Sequence, residues 1–255
     1  MKRRVVSFLI TAGLVLAAFA AAAPTVSSQQ DLVADLSDHE IAITTGFTGA
    51  ELLLFGAIEG EGQIVVTVTG PRQSMTVRRK QRVAGIWINT ASMRFQNAPS
   101  FYAVAATGSL DDIDPDVRAR QEMGLGHLSL RPVLRDRDTP QAEIKAFREG
   151  LIRNQVRHGL YAAGTGRISV LSDRLFRTRV SFPANVVTGI YTVSVYYIRN
   201  GSPVHAQTTP LRVSKIGVGA YVFRFAHTNS AAYGVFAIVI AILAGWLAAA
   251  IFRKV

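Results

Sequence analysis

The stretch G-I-Y-T-V-S-V-Y-Y-I-R-N-G-S-P-V-H-A-Q-T-T-P-L-R-V, residues 189 to 213, decides the fold class of this chain. Its first half has the two-residue period of a β-strand, since one face carries Tyr191, Val193, Val195 and Tyr197. Asn200-Gly201 then predicts a two-residue hairpin turn, because both residue types tolerate positive φ. Pro203 and Pro210 confine the returning strand to a sheet edge, since proline has no N–H to donate.

Similar short strands are predicted on both sides of a central segment. The candidates are His39 to Thr44, Ala50 to Ile58, Gln63 to Thr69, Ser74 to Lys80, Gly85 to Thr90, Phe101 to Thr107, Arg167 to Leu171 and Leu175 to Phe182. Turns at Glu59-Gly60-Glu61-Gly62 and Gly70-Pro71 are predicted to join neighbouring strands as hairpins. The spacing favours an antiparallel β-sandwich, and Gly189 before Tyr191 is typical of the tyrosine corner of immunoglobulin-like domains.

The central segment is predicted to be helical. Asp114 as N-cap, Pro115 at the first position and Gly124 as a stop predict a helix from Pro115 to Met123. A longer amphipathic helix opens at Pro140 and carries one apolar face, made of Ile144, Phe147, Leu151 and Ile152. We therefore expect a β-sandwich unit at 31–108, a helical insert at 109–160 and a second, immunoglobulin-like unit at 161–216. One larger sandwich with the helices inserted is the alternative.

Both ends of the chain carry membrane signals. Ala231 to Phe252 is an uncharged run of 22 residues, long enough to cross a bilayer as a helix. Residues 1–23 combine a basic start, an apolar stretch and an alanine run, which is typical of a cleaved signal peptide; an uncleaved second anchor is the alternative. A stalk at 217–230, lying against lipid or extending the last sheet, and a tail at 253–255 complete the predicted organisation. The basic tail predicts a cytoplasmic C-terminus, with the bulk of the chain in the periplasm of a bacterial inner membrane.

Composition limits the chemistry. The chain has no cysteine, which excludes disulfides, thiolate metal sites and a cysteine nucleophile. Its net charge is +11, and 23 basic and 17 acidic residues remain when the five basic residues at the two ends are set aside. This modest excess suits anionic lipid headgroups or an acidic partner, and export argues against nucleic acid as a ligand.

No catalytic or metal site is predicted. Asp111, Asp112, Asp114 and Asp116 have carboxylates at alternating positions, but the glycine and the closing glutamate of a calcium loop are missing. The five histidines have no spacing that pairs them as metal ligands. We predict no cofactor and no catalytic residue, although a hydrolase assembled from dispersed Ser, His and Asp side chains stays open.

One cluster of polar residues is a candidate binding surface. It consists of Arg72, Arg78, Arg79, Lys80 and Arg82, with Trp87 as an aromatic neighbour. The cations repel one another unless solvent or a bound anion screens their charges. They either protect a solvated edge strand from aggregation or form an anion, headgroup or partner-docking surface.

A second candidate surface lies on the predicted membrane helix. Small residues recur there every four positions, at Ala237, Ala241, Gly245 and Ala249. Such a line lets another helix approach closely, which predicts an integral membrane partner or a homo-oligomer.

Four strings give the chain a resemblance to a family of transmembrane proteins from alphaproteobacteria. They are V-R-R-K-Q-R-V-A-G-I-W-I-N (77–89), P-S-F-Y-A-V-A (99–105), P-A-N-V-V-T-G-I-Y-T-V (183–193) and Q-T-T-P-L (207–211). The resemblance transfers no catalytic residues. It implies an association with exporters of sulfite or organic anions, and hence the role of an accessory subunit. We therefore predict a non-catalytic, membrane-anchored binding or accessory protein, with a membrane-surface hydrolase as the alternative.

Overall fold

The computed structural model of this protein describes residues 31–134 and 138–252. The predicted signal peptide and the tail at 253–255 lie outside these residues. Thirteen strands run along the described part of the chain: β1 (Leu32–Leu36), β2 (Glu40–Ile43), β3 (Gly49–Ile58), β4 (Gln63–Thr69), β5 (Arg72–Val83), β6 (Ile86–Pro99), β7 (Tyr102–Ala106), β8 (Arg131–Val133), β9 (Gly166–Arg167), β10 (Ser169–Leu171), β11 (Leu175–Pro183), β12 (Gly189–Arg199) and β13 (Ser202–Lys215). Four α-helices are described: α1 (Pro115–Arg120), α2 (Gln141–Arg157), α3 (Val218–Thr228) and α4 (Ser230–Phe252). The chain is therefore mainly β, as predicted.

The strands form three sheets. One has the order β1-β3-β11-β10, the second β2-β13-β12-β4-β7-β9 and the third β5-β6-β8. The first two face each other across a core that includes Leu54 and Phe176 from one sheet and Val66 and Tyr197 from the other. All pairings are antiparallel except β13 with β2 and β7 with β9, at the two edges of the six-stranded sheet.

The two central strands of the six-stranded sheet are buried on both faces. In β4, Ile64, Val66 and Val68 point into the sandwich core, whereas Val65 belongs to a second core on the outer face. That outer core contains Phe147 and Leu151 of α2, so the amphipathic helix packs against the body through its apolar face. The body therefore has three layers: the four-stranded sheet, the six-stranded sheet, and an outer layer that contains the helices and the three-stranded sheet.

Strand pairing corrects the predicted division into two β units. β11 pairs with β3 and β12 pairs with β4, so strands from 161–216 share both large sheets with strands from 31–108. The turns at 59–62 and at Gly70-Pro71 do not close hairpins either, because the strands they join belong to different sheets. The alternative of one sandwich with a helical insert describes this topology, since neither unit supplies enough strands to bury both faces of its own sheet.

Local signals were more accurate. Asp114 caps α1 by accepting a hydrogen bond from the Asp116 N–H at 2.8 Å, and α2 follows Pro140. The Asn200-Gly201 turn joins β12 to β13 with φ values of 52° and 75°. The Tyr191 hydroxyl donates to the Val187 carbonyl at 2.7 Å. Helix α1 is shorter than predicted and ends at Arg120, with Gln121 as its C-cap.

The C-terminal part is helical. The predicted stalk is helix α3 rather than an extended strand, and it exposes Phe223 and Phe225. Helix α4 follows and is the one helix of the described residues that is long and apolar enough to cross a membrane. None of its residues is buried, which suits a helix surrounded by lipid.

Candidate functional site

The basic cluster lies on a long β-hairpin. Strands β5 and β6 pair along their length, and Ala84-Gly85 closes the turn with φ values of 49° and 86°, the positive angles of a type I′ turn. β5 is the outer strand of its sheet, so one of its sides is an open edge. The predicted strands 74–80 and 85–90 are the two arms of this hairpin, which in the structure run over 72–83 and 86–99.

The end of this hairpin projects from the body. All residues from Lys80 to Thr90 are exposed, and we call this segment the tip. Four large apolar side chains of the tip lie in solvent: Ile86 is 68% exposed, Trp87 67%, Val83 49% and Ile88 45%. Exposed apolar side chains so close together are typical of a contact surface.

The tip has two chemically different faces. Val83 pairs with Ile86 and Gln81 with Ile88, and paired residues of antiparallel strands point to the same side. The opposite side carries Arg82 beside Trp87 and Lys80 beside Asn89. One face is thus mostly apolar, and the other combines two cations with the indole ring. The Arg82 Nε donates to the Gly85 carbonyl at 3.2 Å, which holds that guanidinium over the turn.

The inner part of the hairpin is fixed to α2. The Arg79 guanidinium lies over the Phe147 ring, 4.6 Å from its centroid, and its Nη2 is 3.4 Å from a carboxylate oxygen of Glu143. Met75, Val77 and other side chains farther down the hairpin pack into the same outer core as Phe147. Arg79 therefore serves to fix the hairpin, whereas Arg78, Lys80 and Arg82 are exposed.

The remaining member of the predicted cluster stands apart from the tip. Arg72 begins β5 and donates to Glu122 at 2.5 Å and to the Asn97 carbonyl at 3.1 Å. Glu122 belongs to a turn held by Tyr102, whose hydroxyl donates to the Glu122 carbonyl and accepts from the Gly124 N–H. The structure thus brings Arg82, Lys80 and Trp87 together and assigns Arg72 to the root of the hairpin.

Burial controls the ionisation of the tyrosines around that root. Removal from solvent raises the pKa of Tyr102 and of Tyr161 well above the ordinary value of 10.0. The Tyr161 hydroxyl donates to the carbonyl of Pro99, the last residue of β6, at 2.7 Å. Both phenols are therefore neutral hydrogen-bonding groups: Tyr161 binds the end of the hairpin directly, and Tyr102 binds the turn that carries Glu122.

Two of the histidines that a hydrolase could use lie beside carboxylates. His39 lies 3.1 Å from Asp35 and His205 3.4 Å from Asp31, but these contacts are on the protein surface. None of these four residues lines the cleft of ≈ 500 Å³ beside Arg72 or the cleft of ≈ 400 Å³ beside Tyr161. Within residues 31–134 and 138–252, no three His, Asp or Glu side chains could hold a metal ion.

The small-residue line lies on α4 as its spacing requires. Ala237, Ala241, Gly245 and Ala249 repeat every four residues of a continuous helix, and a Cβ added at Gly245 would meet no atom within 4 Å. That face is therefore open, and its packing against a partner stays a prediction.

Sequence reasoning missed the apolar part of the tip. It ended one strand at Lys80 and started the next at Gly85, which left Val83 in a turn and gave Ile86 and Ile88 no role. The signal was present, because Ala84-Gly85 between Val83 and Ile86 is a compact turn between two apolar residues. Read as a hairpin, this string pairs the apolar residues across the turn.

The same string lies within a family match. A family model described as "Putative transmembrane protein (Alph_Pro_TM)" covers residues 31–254. The chain belongs to this family. The Alph_Pro_TM match spans the β-rich body and the membrane helix together. No curated protein and no solved structure matches the chain.

Proposed function

We propose that this membrane protein is a non-catalytic binding protein, anchored by α4, whose binding surface is the tip of the β5–β6 hairpin. One observation carries the proposal: exposed Val83, Ile86 and Trp87 lie beside the exposed cations Lys80 and Arg82 on a projecting hairpin. Desolvating such apolar side chains drives association, and the cations select an anionic counterpart. The support is thus chemical complementarity rather than similarity to a protein of known activity.

We also propose the orientation of the protein. The basic residues Arg253 and Lys254 follow α4, which favours a cytoplasmic C-terminus by the positive-inside rule. The signal-peptide pattern of residues 1–23 supports export of the β-rich body, and hence a periplasmic body on the inner membrane of a bacterium. The immunoglobulin-like character of the sandwich is proposed as well, supported by the contact between Tyr191 and Val187.

A crosslinker placed in the tip tests the binding surface. Trp87 is replaced by a photoreactive phenylalanine analogue in the full-length protein, and membranes are irradiated before solubilisation. Crosslinked adducts to a lipid or to a protein are expected, because the tip is in contact with its counterpart. The matched control carries the same analogue at Val170, an exposed residue of β10 in the four-stranded sheet. Equal adduct yields at the two positions contradict the proposal.

An accessory role would use the membrane helix as well. Ala241→Leu with Gly245→Leu keeps α4 apolar but prevents close backbone approach, and it should weaken helix association by about 1 to 2 kcal/mol. Ile240→Ala with Leu247→Ala, positioned mostly away from the small-residue line, should have much less effect. Recovery of a multi-span partner, such as an anion or sulfite exporter, or of a second copy of the chain is measured after crosslinking in native membranes. Equal recovery from both double variants shows that α4 is an anchor only.

A further inference from the structure

The hairpin and the membrane helix leave the six-stranded sheet from the same end. Thr69, the last residue of β4, is aligned with Thr192 near the start of β12, which is aligned with Pro210 near the end of β13. β13 continues from there to Lys215 and the membrane helix. We call this the exit end of the sheet.

Both arms of the hairpin are rooted at this exit end. β5 starts at Arg72, three residues after Thr69, and β6 finishes at Pro99, three residues before Tyr102. Tyr102 itself is paired with Thr69 across the β4–β7 ladder. Thus the hairpin and the segment that leads to the membrane helix both begin at the exit end of the six-stranded sheet.

The dimensions allow the tip to reach the bilayer. The 12 residues of β5 extend about 40 Å at the rise of a β-strand. The 11 residues of α3 advance only about 16 Å, and few other residues separate Lys215 from the membrane helix. The hairpin is therefore at least as long as the connection between Lys215 and α4.

The chemistry of this region suits a lipid interface. Trp87 presents an aromatic ring with a polar N–H, the type of side chain that accumulates at the level of lipid headgroups. Phe223 and Phe225 of α3 are also exposed, immediately before α4, so the connection itself offers apolar side chains to the same interface.

The order of residues along the hairpin matches the layers of a membrane surface. Val83 and Ile86 flank the turn, Arg82 and Trp87 form the next pair, and Lys80 lies about 10 Å behind Val83 at the strand rise. Val83 and Ile86 would meet the acyl boundary, while Lys80 behind them and Arg82, whose guanidinium lies over the turn, would meet anionic headgroups.

On these grounds we infer that the hairpin tip inserts end-on into the surface of the membrane that holds α4, with Lys80 and Arg82 on anionic lipid headgroups. The inference rests on the proposed function, because it names the counterpart of the same tip. The β-rich body would then be held at two points, by α4 and by the hairpin, and would keep a fixed orientation above the bilayer.

Tryptophan fluorescence tests this insertion. The chain has two tryptophans, so Trp246→Phe leaves Trp87 as the sole reporter. The full-length variant is reconstituted into lipid discs of phosphatidylcholine with or without phosphatidylglycerol, and quenching by shallowly brominated lipid is compared with quenching by aqueous acrylamide. With phosphatidylglycerol at low salt, brominated lipid should quench Trp87 and acrylamide should not. Salt should reverse both effects by screening the headgroups.

Two variants with matched controls separate charge from apolar insertion. Lys80→Gln with Arg82→Gln should lower the ratio of inserted to solvent-exposed tip about twenty-five-fold, at roughly fivefold for each cation near an anionic surface. Arg174→Gln with Arg177→Gln removes the same charge at the end of the body opposite to the exit end and should leave the ratio unchanged. Ile86→Ser should also abolish lipid quenching, whereas Val170→Ser should not.

The outcomes distinguish the two proposals. Trp87 that stays accessible to acrylamide in phosphatidylglycerol discs overturns the insertion, and so does equal loss in the Arg174/Arg177 control. If the crosslinker at position 87 then captures a protein in native membranes, the proposed function stands and only its lipid counterpart is wrong. If it captures neither lipid nor protein, both proposals fall. Far-UV circular dichroism of every variant verifies that the fold is retained.

Discussion

Replacing Tyr102 by phenylalanine should destabilise the root of the hairpin through the loss of a single oxygen atom. The Tyr102 side chain is fully buried, and its hydroxyl joins β7 to the turn that follows α1. It donates to the Glu122 carbonyl at 2.6 Å and accepts from the Gly124 N–H at 2.7 Å. Glu122 has a φ of 51°, a left-handed conformation that is costly for a residue with a Cβ, so this turn depends on external hydrogen bonds.

The magnitude follows from the number of bonds and from burial. A typical intramolecular hydrogen bond contributes about 1 kcal/mol net, and a group that stays buried without a partner costs about 1 to 3 kcal/mol. The Tyr102 hydroxyl makes two hydrogen bonds, to Glu122 and to Gly124. Met123 lies between these two residues in the chain and is fully buried. We expect Tyr102→Phe to lower the free energy of unfolding by about 2 to 3 kcal/mol.

The assay compares two tyrosines of the same sheet face. Urea unfolding of the full-length protein in detergent is followed by far-UV circular dichroism for Tyr102→Phe and Tyr196→Phe. The Tyr196 hydroxyl makes one bond, to the Gln121 side chain at 3.0 Å, and that amide can turn towards solvent. Its loss should cost no more than about 1 kcal/mol. A cost for Tyr196→Phe that equals or exceeds that of Tyr102→Phe would refute the reasoning.

Two further perturbations test other parts of the packing. Because burial raises the pKa of Tyr102 and Tyr161 in the folded chain, the unfolded chain binds fewer protons above pH 10.0, and stability should be complete below that pH and decline as the pH rises above it. Tyr161→Phe should reduce this decline by about 1.4 kcal/mol per pH unit in urea titrations at alkaline pH, and an unchanged slope would contradict the assignment. Gly56→Ala should cost about 1 to 3 kcal/mol in the same assay, since its Cβ would overlap the backbone carbonyl oxygen of Val33 and lie 2.5 Å from the Phe176 Cζ. Gly46→Ala meets no atom within 4 Å and should be nearly neutral, so equal effects of the two substitutions would exclude steric overlap as the cause.

Interactions between near neighbours made several features predictable from the sequence. The alternation in residues 189–199 and the Asn200-Gly201 turn specify a strand and a hairpin, because side-chain period and turn geometry are local properties. Asp114 and Pro115 define the start of α1 for the same reason. The run of apolar residues that forms α4 is equally independent of the rest of the fold, since the lipid replaces the protein as its surroundings.

Sheet membership, in contrast, was decided by tertiary structure. The sequence around Glu59 to Gly62 is compatible with a hairpin, yet the chain there crosses from one sheet to the other. The pairing of β3 with β11 joins residues more than a hundred positions apart, and no local pattern encodes such a partner. Burial of both faces of β4 and β12 requires strands from both halves of the chain, which explains why the predicted two-unit division failed.

The candidate site was likewise predictable from the sequence only in part. Its residue types, a basic run followed by Trp87, could be read from the sequence, as could the small-residue line of α4. The sequence did not show that Arg79 is fixed against Phe147 and that Arg72 belongs to the root, because both contacts cross between distant segments. Nor did it show that the hairpin and the membrane helix leave one end of a sheet. That placement depends on the register of three strands, which is set by the long-range packing of their apolar faces.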